Sequence, residues 1–180
     1  MQESTERVNE FVIHVATING SGSQSSNTIL AKSLFRMGLQ VAGKNLFPSN
    51  IAGLPTWFTI RCHPKGYGSR KQLHDLVVAM NPATADQDQD SLATDGLFIY
   101  NSDMKWLGQN RLDKASSVGV PFKDLAGQVT KSVKLKKLLV NMIYVGVVAE
   151  LIGIEESVLF QVTEDFFADK DSVIEINQQA

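Results

Sequence analysis

Acidic residues are missing from a third of this chain: neither Asp nor Glu occurs between Glu10 and Asp75. Cysteine is nearly absent as well. Cys62 stands alone among 180 residues, which excludes an intrachain disulfide and any iron–sulfur cluster ligated by cysteines of this chain only. His14, His63 and His74 have no metal-ligand spacing with one another or with Cys62, so core or surface roles are expected and no metal site. The longest apolar run, residues 138–149, is interrupted by Asn141 and Tyr144. It falls short of the ~18–20 apolar residues that span a bilayer and reads as a buried helix. The first ten residues are polar and show no apolar stretch before a small-residue cleavage site, so a secretory signal is not expected and a cytoplasmic location is. No serine is visibly grouped with His and Asp, and no glycine-framed loop holds a close carboxylate pair, so no catalytic residue is assigned. Glu155 and Glu156 most simply favour a helix N-terminus.

What is present describes a folded protein. With 43% hydrophobic and 20% charged residues in 180, the composition is that of one globular domain over 1–180. Residues 1–10 are expected to be flexible, and 170–180 to lead into a further part of a longer protein. The net charge of −2 conceals a division: residues 11–74 carry +7 and residues 75–180 carry −7. A basic stretch free of acids attracts an anionic ligand or an acidic partner surface. Its lysines and arginines are scattered, so nucleic acid is not the expected partner, and neither is a membrane.

Residues 11–17 form an apolar, β-branched run that enters the small-residue stretch 19–27, with helical spacing from about Thr28 to a stop at Gly38. A short second strand is expected at 39–42. Residues 57–62 and 67–71 flank His63-Pro64-Lys65-Gly66 and read as a hairpin. The runs 75–80 and 96–100 have the continuous apolar character of buried parallel strands, with a short helix from Pro82 between them. Another strand is expected at 118–121, and helices at about 125, 135–152, 155–167 and 172–180. The fold class is therefore α/β: an open, mostly parallel, doubly wound (Rossmann-like) sheet with an inserted β-hairpin and a helical C-terminal end.

Two segments are candidate binding elements. Gly20, Ser21, Gly22, Ser23, Gln24 and Ser25 lie where a strand meets a helix N-terminus, a place that suits a phosphate or carboxylate. As a dinucleotide fingerprint the loop fails, because Ser25 occupies the place of the third glycine and no acid follows at about twenty positions. The same loop could equally be a turn that packs the first helix. Residues 44–57 combine turn residues with aromatic and amide side chains, which suits a ligand, a partner or an ordered crossover.

The runs Asn19-Gly20-Ser21-Gly22-Ser23, 30–38 and Gly43-Lys44-Asn45-Leu46-Phe47-Pro48-Ser49-Asn50 through Arg61 resemble the start of fused gamma–alpha subunits of 2-oxoglutarate:ferredoxin oxidoreductases. Residues 78–84, 119–122 and 141–146 resemble later landmarks of the same gamma domain. Pyruvate-type relatives carry a G-x-G-G-Q-G loop, where this chain has Ser23 and Ser25. The resemblance implies part of an oxidoreductase, inactive alone, that decarboxylates a 2-oxoacid with thiamine diphosphate, passes electrons through iron–sulfur clusters to ferredoxin and forms an acyl-CoA. It implies alpha and beta parts as partners and CoA as a ligand near Gly20 to Ser25. Substrate contacts would fall to Lys44, Asn45, Asn50 and Arg61. No Gly-Asp-Gly diphosphate motif occurs in the chain, so thiamine diphosphate and the clusters are expected in the partners. An α/β nucleotide-binding regulator and a purely structural assembly domain remain the alternatives.

Overall fold

The computed structural model describes residues 8–48, 51–113 and 116–180. The elements run β1 (Phe11–Ile18), α1 (Ser23–Arg36), β2 (Val41–Leu46), β3 (Pro55–Cys62), β4 (His74–Ala79), α2 (Ala85–Asp90) and β5 (Leu92–Asn101). A 3-10 turn (Leu107–Arg111), β6 (Ser117–Val120), α3 (Phe122–Val129), α4 (Val133–Ile152), α5 (Glu156–Phe166) and α6 (Asp171–Gln178) follow. One six-stranded sheet has the order β2-β3-β1-β4-β5-β6. Strands β1, β4, β5 and β6 are mutually parallel, and β3 runs antiparallel to both of its neighbours, β1 and β2.

Alternation along the strands divides the core. Leu76 and Val78 face the layer of α1 and α4 with Ile13, Val15, Ile60, Leu30, Tyr144 and Val148. Val77 and Ala79 point the other way and pack with Ala85, Phe98 and Met104. Helix α4 buries Leu139, Ile143, Tyr144, Val145, Val148 and Ala149 in the core with residues of α1, α3 and the sheet, while Val133, Leu135, Leu138 and Leu151 stay exposed. Among the described residues no helix is long and apolar enough to cross a membrane.

The expected hairpin is misplaced. His63 to Gly66 does form a turn, with the Gly66 N–H on the His63 carbonyl at 2.8 Å. Residues 67–71, however, are not a strand. A strand has two edges, and those of β3 are filled by β1 (Phe11 opposite Cys62) and β2 (Leu46 opposite Trp57). The hairpin is β2–β3. Helix α1 also begins five residues before the expected Thr28, so Ser23, Gln24 and Ser25 are helical and the turn shrinks to residues 19–22. Gly20 and Gly22, at φ 85° and 86°, reverse the chain in that short space. Gly38 ends the helix as the spacing predicts, at φ 87°, with the Leu39 N–H on the Leu34 carbonyl at 3.2 Å.

Candidate ligand site

The turn between β1 and α1 is held from three sides. The Asn19 backbone N–H donates to the Leu54 carbonyl (2.8 Å) and its carbonyl accepts from Gly53 (2.9 Å), tying the turn to the β2–β3 loop. Thr17 and Ser23 hydroxyls meet at 2.9 Å beneath it. From α4, the Asn141 amide donates to the Ser21 carbonyl at 2.8 Å, and the Tyr144 hydroxyl donates to Asn27 Oδ1 at 2.8 Å. Complete burial pushes the Tyr144 phenol pKa upward, so it stays a neutral donor. The turn's own N–H groups at Asn19 and Ser21 donate to the Leu54 and Ile18 carbonyls, whereas no side chain caps the N-terminus of α1 and no acid stands in its first turn. Such a terminus favours an anion.

In front of it lies a cleft of about 430 Å³ whose walls include Thr17, Asn19, Gly20, Gly22, Ser23, Gln24, Asn45, Phe47 and Trp57. Asn45 donates to Gln24 Oε1 at 2.8 Å across the cleft, joining β2 to α1. Among the described residues the lining holds no charged side chain. A ligand here would meet amides, hydroxyls, aromatic faces and the dipole of α1.

The sequence-predicted residues divide accordingly. Gly20, Gly22, Ser23, Gln24 and Asn45 line the cleft. Ser25 sits within α1 and outside the cleft lining, and Ser21 lines a separate cavity on the other side of the turn. Lys44 is exposed and pairs with Thr59, so it projects from the sheet face opposite to Asn45. Arg61 lies five strand residues beyond Thr56, about 17 Å from the cleft end of β3. Its guanidinium donates to Ser69, to the hydroxyl at 2.7 Å and also to the carbonyl. Asn50 falls outside the described residues.

The acid-free basic segment does not converge on the cleft either, because separation along the chain is undone in space. Arg36 pairs with Asp165 of α5, Lys71 pairs with Glu10 at 3.0 Å, and Lys32 lies 5.5 Å from the centre of the Phe166 ring. The lysines that do approach the turn come from the acidic half. Lys123, Lys134, Lys136 and Lys137 line the second cavity, of about 900 Å³, with Gly20 and Ser21. For Lys134, Lys136 and Lys137 the signal is the dense Lys131-Ser132-Val133-Lys134-Leu135-Lys136-Lys137 run, of which only the part from Leu135 was expected to be helical.

The opposite sheet face carries a buried polar cluster. His14 and His74 stack at 4.2 Å with an interplanar angle of 6°. His14 Nδ1 lies 3.2 Å from Thr59 Oγ1, and His14 Nε2 lies 3.8 Å from Asp88. Asp88 accepts from Trp57 Nε1 at 2.8 Å and from Thr84 at 2.7 Å. Among the described residues no group of three His, Cys, Asp or Glu side chains could hold a metal ion. Burial raises the Cys62 thiol to about 12, which makes it a poor ligand as well.

An open α/β sheet with a glycine turn, an uncapped helix and an amide-lined cleft at the carboxyl end of its first strand places this chain in the doubly wound α/β class, whose ligands usually sit at such a cleft. Residues 12–180 match the family model described as pyruvate ferredoxin/flavodoxin oxidoreductase, and the chain belongs to that family. Three solved structures share the fold. The 2-oxoglutarate:ferredoxin oxidoreductase of Magnetococcus marinus, with 2-oxoglutarate, coenzyme A and succinyl-CoA bound, is similar at TM-score 0.81 and 24% identity over 95% of this chain. The chain spans only 29% of that protein. The pyruvate oxidoreductase subunit PORC of Thermotoga maritima follows at TM-score 0.72 and 19% identity, over 96% of this chain and 93% of that one. The gamma subunit of a keto/oxoacid ferredoxin oxidoreductase from Geobacter sulfurreducens is similar at TM-score 0.71 and 14% identity, over 94% and 92%. No curated protein sequence matches significantly.

Proposed function

We propose that this chain is the gamma-type domain of a thiamine-diphosphate-dependent 2-oxoacid:ferredoxin oxidoreductase acting on 2-oxoglutarate. In this reading it covers the active site formed by alpha and beta parts and presents its cleft to CoA. The uncapped α1 N-terminus behind Gly20 and Gly22, facing a cleft free of acids, is the observation that carries it. Gln24 and Asn45 orient the ligand through their amides, while Phe47 and Trp57 shield it from water. The chain's own residues do not fit the redox groups: it offers one buried cysteine and no Gly-Asp-Gly motif. Thiamine diphosphate and iron–sulfur clusters, with the decarboxylation and electron transfer they supply, therefore belong to the partners, and ferredoxin is reached through them.

Asn45 and Lys44 then serve different faces of β2. Asn45 works in the cleft. Lys44, exposed on the other face, is available to the distal carboxylate of 2-oxoglutarate, which needs a charge-assisted hydrogen bond once the assembled site excludes water.

The test is reconstitution with alpha and beta parts, measuring 2-oxoacid- and CoA-dependent ferredoxin reduction. The chain alone should be inactive and the assembly active. Asn45→Ala should raise the KM for CoA by roughly three- to ten-fold, the equivalent of one neutral hydrogen bond. Full activity of the alpha and beta parts without this chain would reject the reading.

A further inference from the structure

The loop that joins β3 to β4, residues 63–73, lies at the opposite end of the sheet from the cleft, about 23 Å away along β3. We propose that it is a docking element for an acidic surface on a partner protein. The loop carries Lys65, Arg70 and Lys71 and no Asp or Glu. Lys71 is paired with Glu10 at 3.0 Å, and the same carboxylate lies 3.8 Å from His63. Lys65 and Arg70 form no ion pair among the described residues, and neither lines the cleft or the cavity beside the turn. Beneath the loop, Arg61 is only 9% exposed. Among the described residues its guanidinium meets the Ser69 hydroxyl and carbonyl but no carboxylate, and its Nε has no partner. Little solvent screens a cation held in this way, so its field adds to that of the exposed charges above it.

The loop is exposed, yet it is not slack. The Lys65 N–H donates to His63 Nδ1 at 3.0 Å, and Gly66 reverses the chain at φ 71°. The His63 N–H donates to the Gln40 carbonyl at 3.2 Å, and a Cβ at Gly68 would stand 3.1 Å from Ala42 Cβ, so the loop is seated along the start of β2. The Tyr67 ring lies 4.5 Å from that of His63 and is still 57% exposed.

A fixed loop that presents a tyrosine between two unpaired cations in the chain suits the centre of a protein interface. Tyr and Arg are enriched among the residues that carry binding energy, and prior ordering removes part of the entropy cost of association. A small anion would need donors that converge, whereas the N–H groups of His63, Lys65 and Gly66 are already used within the fold. Residues 63–73 amount to about half of the ~20–30 residues on one side of a standard interface, so the contact is a transient, salt-sensitive one. It is independent of the cleft and of the ligand proposed for it.

The experiment is a fluorescence anisotropy titration of a labelled oligo-glutamate peptide with the full chain. Wild type is compared with Lys65→Glu/Arg70→Glu, with Tyr67→Ala and with Lys105→Glu/Lys170→Glu, which makes an equal change of charge away from the loop. Circular dichroism verifies each fold. The peptide should bind the wild type, more weakly as salt rises, and the loop double variant should lose about ten-fold or more in affinity. Tyr67→Ala should lose roughly three- to ten-fold, and the control less than about two-fold. No binding, or equal losses in the loop and control variants, overturns the site. Complete displacement of the peptide by inorganic pyrophosphate at matched charge overturns it in favour of a small-anion site, and tighter binding of a single-stranded oligonucleotide of equal charge does so in favour of nucleic acid. Sedimentation velocity covers the remaining case: self-association of the wild type that the loop double variant abolishes would make the occupant a second copy of this chain and overturn the acidic partner.

Discussion

Acidification should weaken this protein through one side chain before its carboxylates are all protonated. His74 is 5% exposed, stacked on His14 and hydrogen-bonded through Nδ1 to Ser91 Oγ at 3.1 Å. Burial lowers its pKa from 6.5 to about 4; His14 and Arg70 push the same way, and Asp75 and Asp88 oppose them. A depressed histidine pKa means that the unfolded chain binds the proton more readily than the folded one. Above the unfolded value of 6.5 both states are neutral and His74 has no effect on stability. Between pH 6.5 and 4 only the unfolded state takes up the proton, and stability falls by up to ~1.4 kcal/mol per pH unit, about 3 kcal/mol in all. At roughly 2–4 °C per kcal/mol for a domain of this size, the midpoint of thermal unfolding should drop by about 6–12 °C from this group. Urea unfolding at pH 7.0, 5.5 and 4.5 gives the slope directly. Other titrating groups contribute to the total, so the comparison is with His74→Gln, whose amide can still meet Ser91. The variant should lose less stability over the same interval. Parallel pH profiles of wild type and His74→Gln would refute the argument.

Tyr144→Phe should destabilise the fold by about 1–2 kcal/mol in urea melts, since it leaves the buried Asn27 Oδ1 without its 2.8 Å donor. Gly22→Ala should cost about 1–2 kcal/mol, because its φ of 86° is unfavourable for an L residue and the added Cβ would stand 2.8 Å from Leu138 Cδ2. Lys44→Ala in the assembled enzyme should lower kcat/KM for 2-oxoglutarate by roughly ten- to a hundred-fold and leave that for pyruvate nearly unchanged, as steady-state kinetics with both acids will show. Cys62, buried with its pKa raised to about 12, should not react with a disulfide reagent at pH 8 in the native protein and should react stoichiometrically in urea.

The strands that face helices on both sides were legible because burial leaves a continuous apolar record: residues 75–80 and 96–100 became β4 and the second half of β5. The edge hairpin was not. Strand β2 contains Gly43, Lys44 and Asn45, and its exposed or half-buried residues give no alternation to read. Its glycine has a tertiary cause: a Cβ at Gly43 would come within 2.9 Å of the Phe58 ring, which lies across the strand. Local propensity carries no trace of that contact. The early start of α1 escaped for a related reason, since Ser23 to Asn27 read as loop by composition, while Ser26 and Asn27 are in fact held by Met142 and Tyr144 of α4.

The same helix explains why the candidate site was only half visible. The glycine turn announced itself by composition, but its orientation depends on two residues 120 positions away that looked like blemishes in an apolar run. Asn141 and Tyr144 interrupt residues 138–149 because a wholly apolar helix would leave the Ser21 carbonyl and Asn27 Oδ1 without these donors. Substituting leucine at either position would lengthen the hydrophobic run and improve helix propensity, yet strand a buried acceptor at the turn. One turn before them, Leu138 touches the space over Gly22, and Lys134 and Lys137 face the turn from the cavity side. Helix α4 therefore fixes the turn with its polar interruptions and surrounds it with charge at its N-terminal end. A change in the turn felt on the cleft side must also be felt on the lysine side, because the wall between them is only residues 19–22.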